Sequence, residues 1–127
     1  YLMQGDPYHC QCQKTTRLLR ERLGWDETEI TTTFQSVFGP EEWLKPYTVD
    51  EVARLADEDG KKRIAVIAPA FSADCIETLE EINEEIRESF EEAGGEQFTY
   101  IPCLNDDDAH VRALAEIVES NLKGWLD

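Results

Sequence analysis

RIAVIAPAFSADCIETLEEINEEIRESFEEAGGEQFTYIP, residues 63–102, decides how this chain folds. The apolar run that opens at Arg63 is nearly continuous, the pattern of a strand buried on both faces. Ser72 or Asp74 can cap a helix over about 75–93, and Gly94-Gly95 closes it. QFTYIP, from Gln97, is a second short strand. Strand, helix and strand in one short stretch form the unit that builds parallel sheets through right-handed crossovers.

The flanks continue the alternation. CQCQKTTRLLRERL at 10–23 predicts a helix stopped by Gly24. ITTTFQSVF at 30–38, rich in β-branched and aromatic residues, predicts a strand, and GPEEWLKPY is a loop. Thr48 and Glu51 fit a capping box for a helix over 49–58, with Gly60 as its stop. A last helix over 107–123 would turn Ala109, Ala113, Leu114, Ile117 and Val118 inward. The order α-β-α-β-α-β-α predicts one α/β domain over 1–127, an open parallel sheet with helices on both faces, Rossmann- or flavodoxin-like. Opening on a helix, and on Tyr1 rather than Met, points to a fragment that follows one lost strand.

The 127 residues are 41% hydrophobic and 31% charged, a globular balance. No apolar run reaches the roughly 20 residues of a membrane span, and no basic leader precedes an apolar stretch. Twenty-eight acids against 12 bases give a net charge of −16. Such a surface repels phosphate backbones, so nucleic acid is not the expected partner and cations suit it better. Without a secretory signal, Cys10, Cys12, Cys75 and Cys103 read as reduced cytoplasmic thiols. Two helical cysteines in a C-x-C point to nearly opposite sides and cannot share a metal, and no iron–sulfur cluster is expected.

Ligands of open parallel sheets bind outside the carboxyl ends of the strands. Those ends are Phe34-Gln35-Ser36, Ala70 to Cys75, and Pro102 to Asn105. No phosphate-cradling glycine motif lies there. His9 and His110 fall in loop or helix positions placed away from Ser36 and Ser72, which speaks against a Ser-His-Asp hydrolase.

Glu77, Glu81 and Glu85 then form an i, i+4, i+8 row that starts at this rim. Like charges at that spacing each cost an isolated helix about 0.2–0.5 kcal/mol. Arg87 is the only cation between Asp74 and Ala93, so the usual Glu–Lys stitching is missing. With Leu79 central to the buried face, joined by Ile82, Ile86 and Phe90, the glutamates point outward. On an α-helix such a row drifts by about 40° per step, whereas π winding would keep it in line. Two readings stay open on residues alone: a solvated face, or carboxylates of raised pKa that handle a metal or protons.

GDPY at 5–8, FQSVFGPEEWLKPYT at 34–48, PAFSADCIETLEEI at 69–82 and IPCLN at 101–105 together resemble the carboxyl-terminal half of ferrochelatase, in that family's order. The DCIETLEEI form is similar to the proteobacterial branch, for which protoporphyrin IX is the usual substrate. The resemblance implies insertion of ferrous iron into the porphyrin to form haem, a lyase reaction in a cleft between two similar α/β domains. This chain would be most of the second domain. The amino-terminal domain, a histidine just upstream and any membrane-associating surface would lie outside it.

Carried over by position, Glu77 matches an active-site glutamate that binds metal or accepts protons. Glu81 and Glu85 match acids that lead metal or protons along a π-distorted helix. Phe34, Gln35, Ser36, Phe71, Asp74 and Cys75 fall on the porphyrin-binding rim, Cys75 standing where other branches have histidine. No tightly bound cofactor is implied, and ferrous iron is a substrate. The implied partners are a porphyrin, a divalent metal and the amino-terminal domain, in the cytoplasm. The competing readings are a non-catalytic flavodoxin-like binding module and a chelatase for another tetrapyrrole.

Overall fold

The computed structural model describes residues 2–36 and 42–125. At its centre, β1 (Arg63–Ile67) and β2 (Gln97–Ile101) pair in parallel, with Ile64 opposite Phe98 and Val66 opposite Tyr100. The connection between them is a π-helix, Glu77–Ile86, that runs directly into α3 (Arg87–Glu92). Tyr8–Leu23 forms α1, Thr48–Asp57 forms α2 and Asp108–Leu122 forms α4. The expected class therefore holds: α/β, built around a small parallel sheet.

One cluster holds these pieces together. Val52 and Ala56 of α2 meet Ile82 and Ile86 of the π-helix, Phe90 of α3 and Phe98 of β2. Phe90 and Phe98 lie with ring centroids 6.1 Å apart, and Ile64, Val66 and Tyr100 close the cluster from the sheet. Complete burial of an Ile or Phe side chain is worth about 1.5–3 kcal/mol, so Ile82 and Phe90 anchor the crossover to the strands.

Four expectations change. The run at 30–38 is not a strand over its described part, residues 30–36, and Val37 and Phe38 lie outside the described residues. Its β-branched residues have a loop for a neighbour instead: Phe34 donates its N–H to Pro46 O and accepts from Thr48 N, a single bridge to Tyr47. β1 alternates between half-buried and exposed residues, because helices cover one face of the two described strands and leave Arg63, Ala65 and Ile67 exposed. The Thr48–Glu51 capping box does not form: the Thr48 hydroxyl donates to Thr33 Oγ1, and Glu51 pairs with Arg54 at 2.8 Å. Finally, α4 buries nothing, and Ala109, Ala113, Leu114, Ile117 and Val118 are all exposed, since no described layer lies against it.

Candidate functional site

The side chains that seat the π-helix are Thr78, Ile82 and Ile86, followed by Phe90 of α3, all buried and all four residues apart. In an α-helix this row would turn away by about 40° at each step. Wider winding keeps it facing the sheet, and the same winding keeps Glu77, Glu81 and Glu85, each one residue earlier, in a parallel row along its edge. The apolar centre expected at Leu79 is wrong, since Leu79 is 48% exposed and Thr78 takes that place with none of its surface accessible.

Nothing described neutralises the row. Arg87 turns to the sheet instead, donating to Asn83 O and Phe98 O, each at 2.8 Å, and lying 5.0 Å from the Phe98 ring centroid. Among the described residues no Lys or Arg forms an ion pair with Glu77, Glu81 or Glu85.

The three carboxylates have different surroundings. Glu77 accepts from the Cys75 thiol and then from its own backbone N–H, and these hold its carboxyl below the usual range. The expected upward shift from crowding is thus overturned at Glu77, because local donors favour the charged form. Glu81 accepts from Ser36 N at 2.7 Å, from the Ser36 hydroxyl at 2.5 Å and from Gln35 Nε2 at 3.4 Å. Gln35 Nε2 also donates to Glu77 O at 3.0 Å, tying the loop to the first turn of the π-helix. Ser36 has φ 61°, a left-handed conformation uncommon for a residue with a side chain, and its two bonds to Glu81 stabilise it. Glu85 is exposed and lines, with Glu81, Ser36, Gln35 and Phe34, a cavity of about 280 Å³.

Asp74 is the hub of the neighbouring rim. Its Oδ1 accepts from the Tyr100 hydroxyl at 2.5 Å, from Thr78 Oγ1 at 3.0 Å and from Cys103 N at 3.3 Å, and its Oδ2 accepts from Asn105 Nδ2 at 2.8 Å. These donors, Asn105 first, hold its carboxyl far below the usual range. The same cluster pushes the Tyr100 hydroxyl and the Cys103 thiol upward, burial being the larger cause for each. Neither Ser72 nor Asp74 caps the π-helix, so that expectation fails: Asp74 faces the other rim loop instead.

The structure brings Gln35, Ser36, Asp74, Cys75, Glu77 and Glu81 around one end of the π-helix, and Phe34 lines the cavity beside Gln35 and Ser36. Phe34 is buried and stacked on His9 at 5.7 Å, and Phe71 is half-buried in the turn after β1. The separation expected between His110 and Ser72 is also corrected, since His110 Nε2 lies 3.0 Å from Ser72 Oγ. Parallel neighbouring strands end on one edge, so the loop after β1 and the first turn of α4 meet there. Sequence reasoning missed Thr78, Tyr100 and His110. The i, i+4 spacing of Asp74 and Thr78 was the one local signal for them.

Among the described residues no three His, Cys, Asp or Glu side chains converge as a metal cage. All four cysteines are free. No helix among the described residues is long and apolar enough to cross a membrane.

An acidic, π-wound crossover at the carboxyl edge of a parallel sheet defines a chelatase-like α/β half-domain. The sequence profile of the ferrochelatase family matches residues 1–122, and the chain belongs to that family. It is 75% identical over 127 residues to a ferrochelatase of Rhodobacter capsulatus, covering all of this chain and 36% of that protein. It is 60% identical over 126 residues to a ferrochelatase of Allorhizobium ampelinum, covering 99% of this chain and 36% of that protein. A ferrochelatase of Marinobacter nauticus is 60% identical over 125 residues, with 98% and 34% covered. The chain thus spans about a third of the length of the curated relatives it matches.

Proposed function

We propose that this chain supplies the carboxyl-terminal half of the active site of an enzyme that inserts ferrous iron into protoporphyrin IX to form haem. The observation that carries the reading is the unneutralised Glu77, Glu81, Glu85 line, held straight by the π winding in a chain of the ferrochelatase family. Iron can enter the macrocycle only as two pyrrole N–H protons leave, so the reaction needs a cation donor and a proton outlet at one spot. Glu77, kept ionised by Cys75 and by its own N–H, suits cation presentation and brief proton transfer better than resting general-base work, for which a pKa near 7 is best. Glu81 and Glu85 extend the negative line toward the 280 Å³ cavity.

That cavity lies below the roughly 300–1,000 Å³ of enclosed small-molecule sites. The porphyrin therefore needs an opposing wall, which we assign to an amino-terminal domain outside this chain. The uncovered sheet face and the apolar side of α4 support such a layer. We place the activity in the cytoplasm, with any membrane-associating surface on that other domain. Phe71, Gln35, Ser36 and Phe34 are assigned to the porphyrin rim, Phe34 from its place in the lining of the cavity.

The test grafts this chain in place of the matching stretch of the Rhodobacter capsulatus relative and follows loss of porphyrin fluorescence with ferrous iron. The graft should form haem, and Glu77→Gln should lower kcat by about 100-fold or more, the scale of a positioned acid–base group. Full activity in Glu77→Gln would remove Glu77 from the mechanism, and activity on another macrocycle alone would change the substrate.

A further inference from the structure

We propose that Asn105 and His110 are positioning residues for Glu77, acting as a latch that fastens the loop after β2 and the first turn of α4 to the root of the π-helix. The proposal rests on the iron-insertion reading only for what Glu77 does, since the latch itself is a matter of geometry.

The Asn105 amide makes a two-way clamp with one residue. Its Nδ2 donates to Asp74 Oδ2 and its Oδ1 accepts from Asp74 N, both at 2.8 Å. Its backbone N–H donates to Ser72 O at 3.1 Å. To reach these partners together Asn105 adopts φ 48°, left-handed, a conformation Asn tolerates better than most residues.

His110 completes the ring. Its Nδ1 lies 2.8 Å from Asn105 O and its Nε2 lies 3.0 Å from Ser72 Oγ. A carbonyl oxygen only accepts, so Nδ1 must carry the proton, and in the neutral ring Nε2 accepts from the Ser72 hydroxyl. The tautomer is fixed by the two partners. The hydroxyl can turn to accept instead, so the contact also survives protonation of the ring.

Glu77 lies three residues beyond Asp74, and Thr78 Oγ1 links the hub to that turn by accepting from Cys75 N and donating to Asp74 Oδ1, each at 3.0 Å. Cys75 and Thr78 flank Ile76 and Glu77 in the chain, so the backbone that carries Glu77 is tied on both sides to groups that answer to the latch. Misplacing a reacting group by about 1 Å can cost on the order of 100-fold in rate. Ser72 and His110 make a serine–histidine contact, but its third member is a carbonyl that belongs to the clamp, and neither the cavity at Glu81 and Glu85 nor a second one, lined by Asp50, Arg54 and Glu58, touches them.

The experiment uses the grafted full-length protein with Asn105→Gly, Ser72→Ala and Ser72→Thr. Glycine keeps the left-handed backbone and deletes the clamp together with the bond from Asn105 Nδ2 to Cys103 O at 3.0 Å. Asn105→Gly should lower kcat about 10- to 100-fold while KM for protoporphyrin IX stays within twofold and the melting temperature, referred to the unsubstituted graft, accounts for none of the loss. Ser72→Ala should lower kcat several-fold, and Ser72→Thr, which keeps the hydroxyl, should restore it. One readout needs no turnover: nitrogen-15 NMR should show His110 as the Nδ1–H tautomer. An Nε2–H tautomer or wild-type kcat in Asn105→Gly would each overturn the latch. If the unsubstituted graft inserts no iron while the Nδ1–H tautomer appears, the iron-insertion reading fails and the latch stands.

Discussion

At the scale of single residues, the glutamates of the row are set apart by their donors. Glu77 is held by Cys75, Glu81 by Ser36 and Gln35, and Glu85 faces the cavity. Asp74, assigned to the porphyrin rim from its position in the sequence, has both oxygens occupied by the protein and acts here as a strut. Its depressed carboxyl has a consequence for acid stability. The folded value lies below the unfolded value of about 3.9, so the contribution is fully present above that pH and fades as pH falls through the folded value. Thermal unfolding should therefore lose more from pH 5 to pH 2 in the unsubstituted protein than in Asp74→Asn, which has no such proton to take up. Equal slopes for the two proteins would mean that Asp74 carries none of the acid sensitivity. The sequence placed Asp74 and Glu77 at the rim, but the donors that reach Asp74 include Tyr100 and Asn105, 26 and 31 residues away in the chain.

At the scale of elements, the four-residue spacing of Thr78, Ile82, Ile86 and Phe90 was legible, and its meaning was not. Read as α-helix it puts Leu79 inside; wound as a π-helix it puts Leu79 outside and aligns the glutamates. Stop signals were read more surely than caps, because a left-handed glycine is a local property while a cap needs a free side chain. Gly24, Gly60 and Gly94 all have positive φ, whereas Thr48 is taken by Thr33. Gly95 is different. A Cβ there would overlap the Phe90 ring, which is fully buried and cannot move aside. Gly95→Ala should destabilise the fold by about 1–3 kcal/mol, the range of overpacked cores. Chemical denaturation gives the value, and an unchanged midpoint would show that the ring has room to shift.

At the scale of the whole molecule, the described residues make one face of a sheet and leave the other open. Ile67 and Ile101 of the strands and Val111, Leu114, Ile117 and Val118 of α4 are between 38% and 58% exposed, more apolar surface than a finished domain leaves bare. On the proposed reading the chain supplies half of a site. The 127 residues alone should insert no metal even when folded, while the graft into the longer relative should; turnover by the isolated chain would show that no opposing wall is needed. The sequence by itself determined the βαβ unit, the rim and the acidic row, because hydrophobic runs, glycine stops and charge spacing act within a few residues. Only the tertiary structure decided the winding of the crossover, the donors around each carboxylate and the meeting of Ser72 with His110. Those depend on which segments the sheet brings together, and contacts between distant parts of a chain leave no periodicity in it to read.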